Sequence, residues 1–274
     1  MSTFEHDGET LWYDDRGSGV PLVALHGGLG LDHTYLRPAL DGLGPGVRTI
    51  YLDLRANGRS TGDGVGTTMS QLAADVEALC VHLGLDRVAV LGHSYGGFVA
   101  LQHALDHPDR VGHLLLCDTD SSGPTDDAVA AGMRRLGLDL DLLAAFESPM
   151  GTLEELLTVF DVVEPAYFPH SPAGTARAGL ADTIPRDEGS AAGEAALDGW
   201  DVGARLAEIT CPALVLHGAD DFLFPSEGAE LLAQRIPGAR LRVFGASGHL
   251  PFVEEVDAFR DEVRAFLLGG ADRH

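Results

Sequence analysis

The chain has 274 residues and a mass of 28.9 kDa, with 45% hydrophobic and 22% charged residues. That is a globular composition and excludes a disordered or fibrous protein. Eighteen basic residues against 42 acidic ones leave a net charge of -24, which repels nucleic-acid phosphates and anionic lipid headgroups over most of the surface. Every basic residue is an arginine, so chemistry that needs a deprotonating or phosphate-capping amine is excluded as well: a Schiff base, a P-loop lysine or a Ser-Lys dyad.

A chain of this length buries about three quarters of the surface it exposes when unfolded and needs neither disulfide nor metal to hold a core. Cys80, Cys117 and Cys211 lie far apart in apolar stretches, as small core hydrophobes of a reducing compartment do. The opening thirteen residues are polar and acidic, and no run of about eighteen apolar residues follows anywhere. The expectation is a cytoplasmic protein whose partner is a small molecule or short peptide, with no nucleic acid, membrane, cofactor or metal.

In chain order, a hairpin over residues 4–13 turns at Asp7-Gly8, and strands follow over 21–25, 47–52, 87–91 and 113–117. Between them a helix over 68–83 opens on a Thr68/Gln71 capping box and shows Leu72, Val76, Leu79 and Leu83 on one face. Another runs over 96–107 and stops at Pro108. From 120 to 199 no β-rich run appears, and Pro149, Pro165, Pro169, Pro172 and Pro185 cut the helical pieces short. Strand logic resumes at 213–217, then a helix over 226–235, a strand over 240–244 and a last helix with Phe252, Val256, Phe259, Val263 and Phe266 on its core face. The alternation implies a core of 1–119 and 200–274 built on a parallel sheet, with 120–199 a helical insert.

Gly92-His93-Ser94-Tyr95-Gly96-Gly97 matches G-x-S-x-G at a point where a strand ends and a helix begins. There the serine occupies a strained turn that lifts its hydroxyl off the sheet, and a Cβ at Gly92 or Gly96 would strike backbone. A hydroxyl is a poor nucleophile without a base, and His249, on the loop after the last strand, is placed to serve. His103 and His107 are four apart on a helix but lack a third ligand, so they fit helix termination better than zinc. The carboxylate that orients the base has three candidates: Asp220 and Asp221, just past the strand over 213–217, and Asp118 at the end of an earlier one. Oxyanion donors are expected from the Tyr95 amide and from the loop His26-Gly27-Gly28-Leu29-Gly30, with Gly28 first and Leu29 second. That loop lacks the G-x-G-x-x-G spacing of a dinucleotide cradle.

These residues together resemble the α/β-hydrolase superfamily, and within it the proline iminopeptidase-like group. The group's His-Gly-Gly-Pro-Gly loop reads His26-Gly27-Gly28-Leu29-Gly30 here, followed by Asp32-His33-Thr34-Tyr35-Leu36, and its Asp-x-Arg-Gly-x-Gly-Arg-Ser loop reads Asp53 to Ser60. Leu29 stands for the proline and Ala56 for a glycine. The resemblance implies an α/β-hydrolase fold: a mostly parallel sheet, helices on both faces and a helical cap insert. It implies Asp221, third after Gly218, as the orienting acid, and structural roles for Asp53 and Arg59. The expected activity is cofactor-free serine hydrolysis of an ester, a lactone or an N-terminal amide. Phe160, Tyr167 and Phe168 of the cap would line the substrate pocket, and an N-terminal ammonium would need one of Glu147, Glu154, Glu155, Asp161 or Glu164. Rival readings keep the fold but bind a ligand without turnover, or use the same triad for carbon-carbon hydrolysis, perhydrolysis or acyl transfer. A dehalogenase would need a carboxylate where Ser94 stands.

Overall fold

The β-rich runs assemble into one eight-stranded sheet in the computed structural model, which describes residues 2–269. The strands are β1 (Ser2–His6), β2 (Glu9–Gly17), β3 (Gly19–Leu25), β4 (Gly46–Leu52), β5 (Val88–His93), β6 (Val111–Cys117), β7 (Ala213–Gly218) and β8 (Arg240–Phe244), in the order β1-β2-β4-β3-β5-β6-β7-β8. The opening hairpin pairs antiparallel and turns at Asp7-Gly8, and β2 joins β4 antiparallel; every later pairing is parallel.

Successive side chains on a strand point to opposite faces, so the continuous apolar runs feed two cores at once. Val23, Leu25, Val90, Leu114, Leu116 and Val215 join one cluster with the helices α2 (Met69–His82) and α3 (Tyr95–Asp106). Their neighbours Leu22, Ala24, Leu91, Leu115, Leu214 and Leu216 join another. That second core also takes Leu36 and Leu40, the latter on the short helix α1 (Arg37–Leu40).

Residues between β6 and β7 form helices α4 (Asp126–Arg135), α5 (Leu153–Tyr167), α6 (Thr175–Gly179) and α7 (Asp187–Leu197), with only an isolated bridge between Ser122 and Asp201. Helix α8 (Ser226–Arg235) then links β7 to β8. Pro165 does not cut a helix short as expected: it lies inside α5, two residues before its end. The lost donor costs one backbone bond in a last turn that Phe168 N–H still closes onto Glu164 O at 2.8 Å.

The expected last helix is two, α9 (Pro251–Glu254) and α10 (Val256–Leu268), broken at Glu255, whose φ of -124° and ψ of 50° are not helical. The Thr68 hydroxyl caps α2 by accepting from Gln71 N–H at 3.1 Å. A complete capping box forms elsewhere, between Thr152 and Glu155 at the start of α5.

Candidate active site

Ser94 follows β5 directly and caps α3 with φ 52° and ψ -118°, a left-handed backbone that a non-glycine residue adopts only under constraint. The constraint is steric and polar. A Cβ on Gly92 would lie 2.2 Å from Gly96 O, and one on Gly96 would lie 2.3 Å from Leu25 O. Ser94 N–H donates to Cys117 O at 2.9 Å, while Ser94 O accepts from Gly97 N–H at 2.8 Å and from the Thr119 hydroxyl at 2.9 Å.

His249 follows β8 on the loop before α9, and its Nδ1 lies 2.9 Å from Asp221 Oδ2. Asp221 is fully buried, and its other oxygen accepts from Leu223 N–H at 2.8 Å and Phe224 N–H at 3.3 Å. Burial pushes this carboxyl up, but the His249 ring and its hydrogen bond outweigh it and hold Asp221 below the usual aspartate range. Phe224 stacks on the His249 ring at 5.8 Å and Tyr167 meets it edge-on at 5.6 Å.

The other two candidate carboxylates have different partners. Asp220 meets His170 of the insert at 2.7 Å. Asp118, also fully buried and with φ 45°, accepts from Gly218 N–H at 2.8 Å and from the Cys117 thiol at 3.2 Å. Burial, then the neighbouring Asp221 charge, raises its carboxyl well above the usual range, opposite in direction to Asp221.

Ser94 and His249 open on one narrow cavity of about 30 Å³. Its wall includes Gly27, Gly28, Leu31 and Tyr35 from the core, and Phe160, Tyr167, Phe168 and Leu180 from the insert. Gly28 faces the Tyr95 ring, which a Cβ would approach to 3.3 Å. Leu29 instead borders an outer chamber of about 300 Å³, where Phe146, Met150, Ser190 and Glu194 join Phe160 and Tyr167. Of the five insert carboxylates considered for an ammonium, none lines either space. Glu154 and Asp161 face Arg177, Glu155 closes the capping box, and Glu164 accepts from Gly174 and Ala176 N–H.

Among the described residues two buried groups have metal-ligand chemistry, Asp32-His33-Asp53 and Asp118-His217-Asp221. In the first, His33 Nδ1 meets Asp53 at 2.6 Å and Arg59 bridges Asp53 to Asp32. In the second, the carboxylates are committed to His249 and to backbone amides. Oxygens already engaged in this way make poor sites for a cation. His103, far from the cavity, is buried 3.6 Å from Glu77, which Arg110 already pairs.

Four supporting residues escaped the sequence reading. Glu254 accepts from Gly248 N–H at 2.6 Å and from His170 N–H at 2.9 Å, while Glu255 accepts from Ala246 N–H and the Ser247 hydroxyl, both at 2.8 Å. Tyr35 and His93 form a buried chain to His249. The glutamates were hidden in an amphipathic stripe. His93 and Tyr35 stood inside the motifs, where only spacing was read.

Comparison with known proteins places this geometry among relatives. The family described as alpha/beta hydrolase fold matches residues 20–256. A proline iminopeptidase of Saccharolobus solfataricus is 29% identical over 276 residues, covering 93% of this chain and 87% of that one. A 2-hydroxy-6-oxo-6-phenylhexa-2,4-dienoate hydrolase of Burkholderia cepacia is 30% identical over 268 residues, covering 94% and 91%. Among solved structures, the enol-lactonase from Burkholderia xenovorans LB400 superimposes with a TM-score of 0.78 at 26% identity, covering 97% of this chain and 99% of that one.

Proposed function

The chain belongs to the α/β-hydrolase fold family, and from that premise we propose that it is a serine hydrolase of uncharged esters or lactones. Ser94 attacks the carbonyl, and His249 takes the hydroxyl proton on Nε2 and returns it to the leaving group. Asp221 holds Nδ1–H and offsets the charge on the imidazolium. The amides of Tyr95 and Gly28, with Leu29 the alternative to Gly28, receive the developing oxyanion, each donor worth on the order of 3 kcal/mol of barrier. Water then repeats the sequence on the acyl-enzyme.

The observation that carries this reading is the convergence of Ser94 and the Asp221-bonded His249 on one cavity. Its remaining wall is predominantly apolar, with Phe160, Tyr167 and Phe168 contributed by the cap. The same wall supports the ester or lactone over the N-terminal amide. An ammonium leaving water needs a carboxylate partner, and among the described residues none lines the cavity beside Ser94, Glu194 lying in the outer chamber. Among the described residues no arginine lines either space, which weighs against acyl groups bearing a carboxylate.

The test is labelling by a fluorophosphonate followed by a panel of short-chain activated esters, lactones and prolyl anilide. Expected are a single adduct on Ser94, ester or lactone turnover, and little cleavage of the anilide. Ser94→Ala should lose both labelling and about six orders of magnitude of turnover. Failure of the wild type to label would turn the reading into that of a ligand-binding relative. Rapid anilide cleavage with inert esters would reverse the substrate assignment.

A further inference from the structure

A hydrogen-bonded chain runs along the wall of the cavity, which Gly27, Tyr35, His93 and His249 all line. Gly27 N–H lies 2.5 Å from Tyr35 Oη, Tyr35 Oη lies 2.8 Å from His93 Nδ1, and His93 Nε2 lies 2.9 Å from His249 O. The residues come from the three loops the reaction needs: Gly27 from the loop after β3, His93 from the end of β5 beside Ser94, and His249 from the loop after β8. Each participant is buried, Tyr35 at 5% exposure and His93 at 3%.

The polarity of the chain is determined by its ends. A carbonyl only accepts, so the proton of the His93 ring must sit on Nε2 and point at His249 O. An amide N–H only donates, so Tyr35 Oη accepts from Gly27 and passes its own proton to the bare Nδ1 of His93. The opposite tautomer would set a lone pair against the His249 carbonyl. An imidazolium would leave Tyr35 with two donors aimed at it and no acceptor for its own proton.

Packing closes the remaining freedom. A Cβ on Gly27 would lie 2.9 Å from both His93 Nδ1 and Tyr35 Oη and 3.2 Å from Ser94 Cβ. Phe252 meets the His93 ring edge-on at 4.9 Å and Tyr35 at 5.9 Å.

We propose that Tyr35 and His93 are positioning residues that hold the main chain of the base, the nucleophile turn and the Gly27-Gly28 loop in mutual register. Asp221 fixes the His249 ring through Nδ1, but a ring is only as well placed as its own backbone. The sole bond from the nucleophile turn to that backbone among the hydrogen bonds described is His93 Nε2–H to His249 O. Reaching the transition state requires Ser94, His249 and the oxyanion donors to keep their spacing, and a displacement of about 1 Å costs on the order of a hundredfold in rate.

The neutrality of His93 serves the same end. Its ring centroid lies 4.8 Å from that of His249, where a positive charge would oppose formation of the His249 imidazolium. Burial holds His93 well below the ordinary histidine range; His249 and His26 add to the effect, while Asp221 and the His249 carbonyl act against it. Tyr35, its other neighbour, is raised further by burial and stays protonated.

The inference rests on the serine-hydrolase reading, and the experiment separates the two. Wild type, Tyr35→Phe, His93→Leu, His93→Gln and the double variant Tyr35→Phe/His93→Leu are assayed on the ester that wild type turns over best. Tyr35→Phe should lower kcat about tenfold and His93→Leu about a hundredfold, with KM within about twofold of wild type. Because both act through one chain, the double variant should match His93→Leu instead of multiplying to about a thousandfold. His93→Gln, whose amide N–H can reach the same carbonyl, should recover most of the loss.

Nitrogen-15 NMR of the wild type gives a readout that needs no variant to fold: His93 should appear as the neutral Nε2–H tautomer at every pH at which the protein stays native. Multiplicative losses, an Nδ1–H tautomer, or full kcat in Tyr35→Phe would overturn the inference while leaving Ser94 in its role. A wild type that neither labels nor turns over ester would instead defeat the hydrolase reading.

Discussion

Two neighbouring aspartates at the base of the site have carboxyls shifted in opposite directions, Asp221 down and Asp118 up. Asp221 is ionised because His249 and two amides compensate its burial, whereas Asp118 receives one amide and a thiol and keeps its proton. Asp221→Asn should therefore lower kcat by about four orders of magnitude, since an amide in that position enforces the wrong tautomer of the base. Asp118→Asn should stay within about tenfold of wild type, because an amide imitates a protonated carboxyl.

Its effect on stability has a defined sign. In the unfolded chain Asp118 ionises at about pH 3.9, while in the native state it remains protonated to higher pH. Above about pH 4 the wild type therefore loses stability to ionisation of the unfolded chain, and the asparagine variant does not. Thermal unfolding should show Asp118→Asn gaining roughly 2–4 °C per kcal/mol relative to wild type as pH rises from 4 to 8, with no gain below pH 4. A loss of Tm at pH 8, or a larger fall in kcat than Asp221→Asn gives, would exchange the two roles.

The acid is held by an element as well as by its bonds. Helix α4 lies against the loop after β7: a Cβ on Gly132 would stand 2.2 Å from Phe222 O, Arg135 Nη2 donates to Asp221 O at 2.5 Å, and Met133 packs with Phe222 and Ala166 of α5. Residues of α4 and α5 thus pack against the loop that carries Asp221, and Phe160 and Tyr167 of α5 also line the cavity. Alanine is the better helix former by about 1 kcal/mol, yet Gly132→Ala must move the backbone beside Asp221. Its kcat should fall about tenfold or more. Gly123→Ala, with open space around its Cβ position, serves as the control and should behave as wild type. Equal activity of the two variants would show that the acid loop yields to the helix without cost. Across the site, Glu254 and Glu255 secure the loop that carries His249, and Glu254 also reaches His170 and Ser171 of the insert.

At the scale of the whole molecule, the net charge predicts a bias in which substrates are captured. A net charge of -24 surrounds a site whose two spaces are lined by no arginine and whose outer chamber carries Glu194. Long-range fields of this kind raise the encounter rate of cations and lower that of anions, and salt screens them over about 10 Å at 0.1 M. Three esters alike in acyl group, with cationic, neutral and anionic alcohols, should separate on salt titration. From about 0.01 to 0.5 M salt, kcat/KM should fall for the cation, rise for the anion and stay level for the neutral ester. A flat response in all three would mean that the cavity, rather than the field, limits capture. No helix among the described residues is long and apolar enough to cross a membrane.

How much of this was legible in the chain follows from the range of the forces involved. The sheet and its helices were readable because burial on both faces demands continuous apolar runs, as in Leu22 to Leu25, and because glycine at 92 and 96 is a local steric requirement around Ser94. The candidates for nucleophile and base also stood in motifs, whose meaning depends on a few residues in a row. Pairings between distant residues were not readable. Asp118, Asp220 and Asp221 all end up near strand tips, and only packing decides that one meets His249, one meets His170 and one is buried with its proton. The break at Glu255 was hidden for the same reason: its helical stripe is intact, while its non-helical backbone accompanies bonds to Ala246 and Ser247 that only the fold brings within reach. The chain from Gly27 through Tyr35 and His93 to His249 spans residues up to 156 positions apart at one link. A hydrogen bond leaves no periodic trace in sequence, so its partners become visible only when the tertiary structure brings them together.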